Sequence, residues 1–218
     1  MSEAHLHAIL TQCGLPGVDQ IPYGIHMCHF YRERADLVEA LVPFFTAGLH
    51  HNERCIWITA APLEAADAKL ELQKAGVDTD AAIRGGALTI QGYGDFYLKA
   101  RSMKSREVAE LWLAEEQCAL EQGYSGLRIT GNASFITPDT WPDFMDYEEA
   151  VHKAFHGRRI ISLCSYHVRR CGPGEIYDVM RRHSCVLNQP DAGWEIVTGY
   201  HELGPEPKLS SEAARGSP

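Results

Sequence analysis

The stretch between residues 25 and 60 constrains this chain most. Ile25-His26-Met27-Cys28-His29-Phe30-Tyr31 is apolar and of strand length, residues 36–47 carry apolar positions at helical spacing, and Arg54-Cys55-Ile56-Trp57-Ile58-Thr59 is a second apolar run. A strand, a helix and a strand in that order predict a parallel pair joined by a right-handed crossover. Where such a unit hydrolyses nucleotides, G-x-x-x-x-G-K-[ST] joins the first strand to the helix. Its backbone N–H groups cradle the phosphates and its Lys reaches the terminal ones. Here the connection is Arg32-Glu33-Arg34-Ala35-Asp36, with no Gly and no Lys. Glu33 and Asp36 repel a triphosphate, so the scaffold is expected to be that of an ATPase with a degenerate phosphate loop and no catalysis.

The same alternation continues. Further strands are expected over residues 87–91, 126–130, 159–166 and 194–198, and helices open at Pro62, Ser105, Thr137-Pro138 and Gly172-Pro173. The stripes read as Leu63, Ala66 and Leu70; Val108, Leu111, Trp112, Cys118 and Ala119; Trp141, Phe144, Met145, Val151 and Phe155; and Ile176, Val179, Met180 and His183. Asp143, Asp146, Glu148 and Glu149 are expected on the solvent side. The fold class is α/β, a mostly parallel central sheet with flanking helices. Residues 1–21 read as a loosely patterned lead-in, 22–203 as one domain, and 204–218, dominated by Pro, Ser, Glu and Ala, as a disordered tail.

Composition narrows the function. A net charge of −9 argues against direct nucleic-acid binding and against an anionic membrane surface, since both need a basic face. The N-terminus has no basic region followed by an apolar run, and no stretch reaches membrane-spanning length, so no signal peptide and no membrane span are expected. Seven cysteines with no C-x-x-C pair form no disulfide framework; a reduced, cytoplasmic protein is expected.

Several segments together carry a resemblance: G-I-H-M-C-H-F-Y (24–31), L-V-P-F-F-T-A-G-L-H-H-N-E-R-C-I-W-I-T (41–59), L-R-I-T-G-N-A-S-F (127–135), and L-C-S-Y-H (163–167) with the R-R-H that ends the following helix (181–183). The chain resembles the MEDS domain, a sensory module of methanogen and methylotroph regulators of the DcmR type, over residues 22 to 198. The resemblance implies a RecA/KaiC-like fold and a role in sensing small molecules. It also implies an output partner of histidine-kinase, anti-sigma or transcription-regulator kind. Where the family commonly has an acidic residue after the fourth strand, this chain has Asn132, a poor partner for Mg²⁺.

In a parallel α/β sheet, ligands bind beyond the carboxyl ends of the strands. Those ends supply His29, Tyr31 and Arg32, then Thr59, Tyr93, Asn132, and Cys164, Tyr166 and His167; His183 joins them from the last helix stripe, although a lone His on an apolar face is more often core. Tyr31, Tyr93 and Tyr166 are expected as aromatic walls, with Arg32, Asn132 and His167 fixing a polar handle on a small, partly apolar ligand. Three other readings stand beside this one: a ligand-free signalling scaffold, a haem or metal sensor, and a remnant nucleotide binder. His26, Cys28 and His29, with Cys164, His167 or His183, invite the metal reading, but their spacing is no metal signature, and no metal ligand or cofactor is assigned. Cys164 and His167, three residues apart at a strand end, give no assurance of a nucleophilic pair, so no catalytic residue is assigned.

Overall fold

The computed structural model describes residues 9–94, 105–190 and 193–198. The elements, in chain order, are β1 (Leu10–Gln12), β2 (Gln20–Pro22), β3 (His26–Tyr31), α1 (Arg34–His50), β4 (Arg54–Thr59), α2 (Ala65–Lys74), α3 (Thr79–Arg84), β5 (Leu88–Gly92), α4 (Ser105–Glu121), β6 (Leu127–Asn132), α5 (Trp141–Phe155), β7 (Ile160–His167), α6 (Pro173–Arg181), β8 (Cys185–Asn188) and β9 (Glu195–Val197). Among the described residues one sheet has the order β5-β4-β6-β7-β3-β8-β9, and β1 and β2 form a separate antiparallel pair. All pairings in the large sheet are parallel except β8 with β9. The mostly parallel sheet expected from the alternation of strands and helices is therefore present.

The chain crosses from β3 through α1 to β4, passing over β7 and β6, so β3 and β4 are not neighbours. Parallel strands need such crossovers, and the helices they carry cover both faces. On one face α1 and α2 pack Leu37, Leu41, Phe44, Phe45 and Leu72 against Met27, Tyr31, Trp57 and Leu163. On the other, α4 and α5 pack Trp112, Val151 and Phe155 against Ile56 and Ile129. Further along that face, Phe144, Met145 and Val179 cover Cys28 and Tyr166. The alternation of β3 follows: His26 and Cys28 face the α5 side, Met27 and Tyr31 the α1 side.

Residues 10–22 are not a loose lead-in. Cys13, Leu15, Val18 and Ile21 belong to the α1-side core. The hairpin lies close on α1: a Cβ on Gly14, whose φ is +92°, would stand 2.3 Å from the Pro43 carbonyl oxygen. Below it lies a buried ion pair. Arg128, the second residue of β6, has no exposed surface, and its Nε donates to Glu53 Oε2 at 2.5 Å. Its other nitrogens donate to the carbonyls of Cys13, Phe44 and Gln12, while Thr11 and Tyr23 donate to Glu53 Oε1. Gly48 leaves the space: a Cβ there would meet the Arg128 side chain at 2.7 Å.

Several local expectations are corrected. The second helix buries Ala68 and Leu72, whereas Ala66 and Leu70 are exposed, and Pro62 lies in a turn before the helix rather than in its first turn. Leu111 is exposed as well. Glu148 is buried rather than on the solvent side. The strand β8 and the short helix α3 had no sequence reading. The tail expected over 204–218 lies outside the described residues.

Candidate functional site

Nine of the ten residues expected at one sheet edge divide among three places, and Thr59 stands apart. The first is a groove of about 440 Å³ across the carboxyl ends, lined by Tyr31, Ala61, Pro62, Glu64, Tyr93, Ser134, Phe135, His167 and Arg170. The ends of β3, β5 and β7 and the segments following β4 and β6 all contribute, because the strand order sets them side by side. Tyr93 and Phe135 stack with ring centroids 4.3 Å apart. Tyr31 and His167 meet edge to face at 5.1 Å. The Tyr31 hydroxyl donates to Asn132 Oδ1 at 3.2 Å, and the same oxygen accepts the Ser134 N–H, so Asn132 holds Tyr31 from behind the groove. Arg170 donates to the Ser134 carbonyl. Phe135 and Arg170 were not singled out from the sequence: each lies a few residues beyond a strand end, on a turn whose course only the fold sets.

The second place is a hollow of about 230 Å³ on the other side of β3, where His29 and Arg32 sit with Asp36, Asn188 and Gln189. Burial holds the His29 imidazole down at about 4, against partial compensation by Asp36. Asp36 has a second task. Its Oδ2 accepts the backbone N–H groups of Arg32 at 2.7 Å and Glu33 at 3.1 Å, at the entry to α1. Thr59 belongs to neither place: it is buried, and its hydroxyl donates to the Gln91 carbonyl of the adjoining strand.

The third place lies inside, on the α5 side of the sheet. Tyr166, Cys164 and His183 are there, and the expectation of Tyr166 and His183 at an accessible edge is corrected. Tyr166 is 1 % exposed and His183 wholly buried. The β7 alternation turns Cys164 and Tyr166 to this face and His167 to the other. His26 from β3 and Glu148 from α5 complete the set. His26 Nε2 is 3.2 Å from Glu148 Oε2 and 3.4 Å from Cys164 Sγ. His183 Nε2 is 3.5 Å from the same carboxylate oxygen, and Cys164 Sγ is 3.9 Å from it. The His26 and His183 rings lie 4.0 Å apart.

Burial governs the charges here. It pulls both His26 and His183 down to about 3, with a neighbouring His adding to each effect, so neither ring is protonated at neutral pH. It pushes the Glu148 carboxyl and the Cys164 thiol up. The Tyr166 hydroxyl lies against Glu148 without reaching full hydrogen-bond geometry. A cavity of about 20 Å³, room for roughly one water, borders Glu148, Cys164 and Tyr166 between apolar walls of Trp112, Ile129 and Phe144. That space does not admit a porphyrin. Glu148 could have been found in the sequence: it falls four residues after Phe144 and three before Val151, on the apolar stripe of its helix.

With fold and sites described, comparison with known proteins adds the lineage. Two solved structures share the RecA/KaiC-like architecture. The KaiC-like protein PH0186 from Pyrococcus horikoshii OT3 has a TM-score of 0.54 at 11 % identity, covering 87 % of this chain and 85 % of that one. The flagellar accessory protein FlaH from Methanocaldococcus jannaschii has a TM-score of 0.54 at 10 % identity, covering 84 % and 81 %. A family model described as MEthanogen/methylotroph, DcmR Sensory domain (MEDS) matches residues 25–184, and the chain belongs to that family of sensory domains. No curated protein matches it. No helix among the described residues is long and apolar enough to cross a membrane.

Proposed function

We propose that this sensory domain binds a small, partly apolar molecule in the groove at the carboxyl edge of its sheet and passes the signal to a separate regulatory partner. The groove itself carries the reading. Its roughly 440 Å³ lies in the usual range for small-molecule sites, its walls are aromatic, and His167 and Arg170 offer a few polar groups to orient a ligand. A kinase, anti-sigma factor or transcription regulator is the kind of partner the family suggests.

The entry to α1 supports sensing over nucleotide turnover. At a helix N-terminus, backbone N–H groups ordinarily offer an anion site. In this chain the Asp36 carboxylate takes up those of Arg32 and Glu33, so the protein supplies its own anion where a phosphate would lie. No Lys stands nearby in the connection to help a triphosphate displace it.

The test is a thermal-shift and native mass-spectrometry screen of the purified protein against small alcohols, amines, haloalkanes and nucleotides. An amphipathic compound is expected to raise the melting temperature, and Tyr93→Ala or Arg170→Ala to abolish that rise with the unliganded melting temperature unchanged. Stabilisation by ATP alone, lost on Arg32→Ala, would replace this reading with a nucleotide-binding one.

A further inference from the structure

We propose that His26, Glu148, Cys164 and His183 form a metal site, and that the ion they suit is a tetrahedral, borderline-soft dication such as Zn²⁺. This site is distinct from the edge groove and does not depend on the groove's binding anything.

Geometry is the first argument. A tetrahedral ion with bonds of about 2.0–2.3 Å to nitrogen, oxygen and sulfur holds its ligand atoms about 3.3–3.8 Å apart. Four of the six distances among these groups are 3.2, 3.4, 3.5 and 3.9 Å, and all four ligand atoms lie within 4.8 Å of one another. They arrive from β3, α5, β7 and the turn after α6, so no local spacing produces the match.

The outer atoms of the imidazoles supply the second. A metal-bound His commonly turns its other ring nitrogen to a carbonyl or carboxylate, which fixes the tautomer. His183 Nδ1 is 2.7 Å from the Val179 carbonyl oxygen, which leaves Nε2 as the lone-pair nitrogen, aimed at Glu148. His26 Nε2 is likewise the inward atom, 3.4 Å from Cys164 Sγ, with the backbone of Arg182 beside the ring.

The third argument is charge. A buried carboxylate needs a proton or a compensating cation; Arg182 acts on Glu148 only through space, and among the described residues no Arg or Lys bonds to it. A dication held by one carboxylate, one thiolate and two neutral imidazoles gives a site of zero net charge. The Cys164 thiol yields its proton to solvent on coordination, as thiol ligands do.

The experiment loads metal-free full-length protein with Co²⁺ and Zn²⁺. Expected are one ion per chain, a rise in melting temperature, and for cobalt a thiolate-to-metal charge-transfer band with strong visible bands of a tetrahedral ion. The charge-transfer band is lost in Cys164→Ser and kept in Cys28→Ala, a buried thiol outside the set. Should Cys164→Ser fail to fold, X-ray absorption at the zinc edge of the wild-type protein decides, with one sulfur and three nitrogen or oxygen neighbours expected. Folded protein that takes up no stoichiometric ion overturns the proposal. So does a charge-transfer band unchanged in Cys164→Ser, or a shell without sulfur or with several sulfurs.

Discussion

Two buried glutamates, Glu53 and Glu148, stand on opposite faces of the same sheet and are handled in opposite ways. Glu53 is closed off: Arg128, Thr11 and Tyr23 all donate to it, and the other Arg128 nitrogens are taken up by backbone carbonyls. Its role is complete within the chain, tying the N-terminal hairpin, α1 and β6 together. Glu148 meets two neutral imidazoles and a thiol, which bring no fixed positive charge. Equal burial thus conceals different chemistry. A carboxylate with a resident guanidinium is architecture; one ringed by metal-ligand atoms is open to an ion from outside.

The same substitution at both positions is the strongest way to break this contrast. Glu53→Gln leaves the Arg128 charge buried without its counter-charge, and breaking such a pair costs about 3–5 kcal/mol. In metal-free protein, Glu148→Gln removes no fixed ion pair and is expected to cost about 1 kcal/mol. Urea unfolding of both variants measures the difference, and equal losses would erase the distinction. Tyr166→Ala is expected to fall with the large losses, in the range of about 3–5 kcal/mol for a buried aromatic, since Tyr166 packs on Phe30 and Phe144.

Acid sharpens the comparison further. His29 is held at about 4 in the folded chain, below the ordinary 6.5. Between those values the unfolded chain binds a proton that the folded chain does not, so this residue favours folding least at low pH. Its stability is intact above about pH 6.5 and falls as pH drops towards 4, by up to about 3 kcal/mol. His29→Phe keeps the ring against Trp194 and is expected to flatten that part of the pH–stability curve. An unchanged curve would show that the loss comes from other groups, His26 and His183 among the candidates. The smallest effect on stability is expected at the groove. Tyr93, 40 % exposed, costs about 0.5 kcal/mol or less on replacement by Ala, whereas ligand affinity is expected to vanish.

How far the sequence carried the reading depends on the residue. The strand over Arg54–Thr59 was legible to its ends, because a fully buried strand in a parallel sheet is apolar throughout. Tyr93 and His167 were found beside the groove at the carboxyl edge, with Tyr31 wholly buried against it. Tyr166 was not, although it precedes His167 by one residue, since the pleat sends neighbours to opposite faces and only the covering helix decides which face is sealed. Arg128, between Leu127 and Ile129, falls inside the strand expected over residues 126–130, with no separate expectation for it. Its flanking apolar neighbours were the available signal that it must be buried and therefore paired.

The sequence by itself determined the succession of strands and helices, the α/β class, the family and a connection from β3 to α1 without the G-x-x-x-x-G-K-[ST] motif. Each of these is written in local periodicity or in contiguous residues. The tertiary structure alone decided that β9 runs antiparallel, that Phe135 and Arg170 reach the groove, and that His26, Glu148, Cys164 and His183 converge on one another. Such meetings depend on strand order and on which helix covers which face. Those are set by the packing of the whole core, and no window of a few residues contains them.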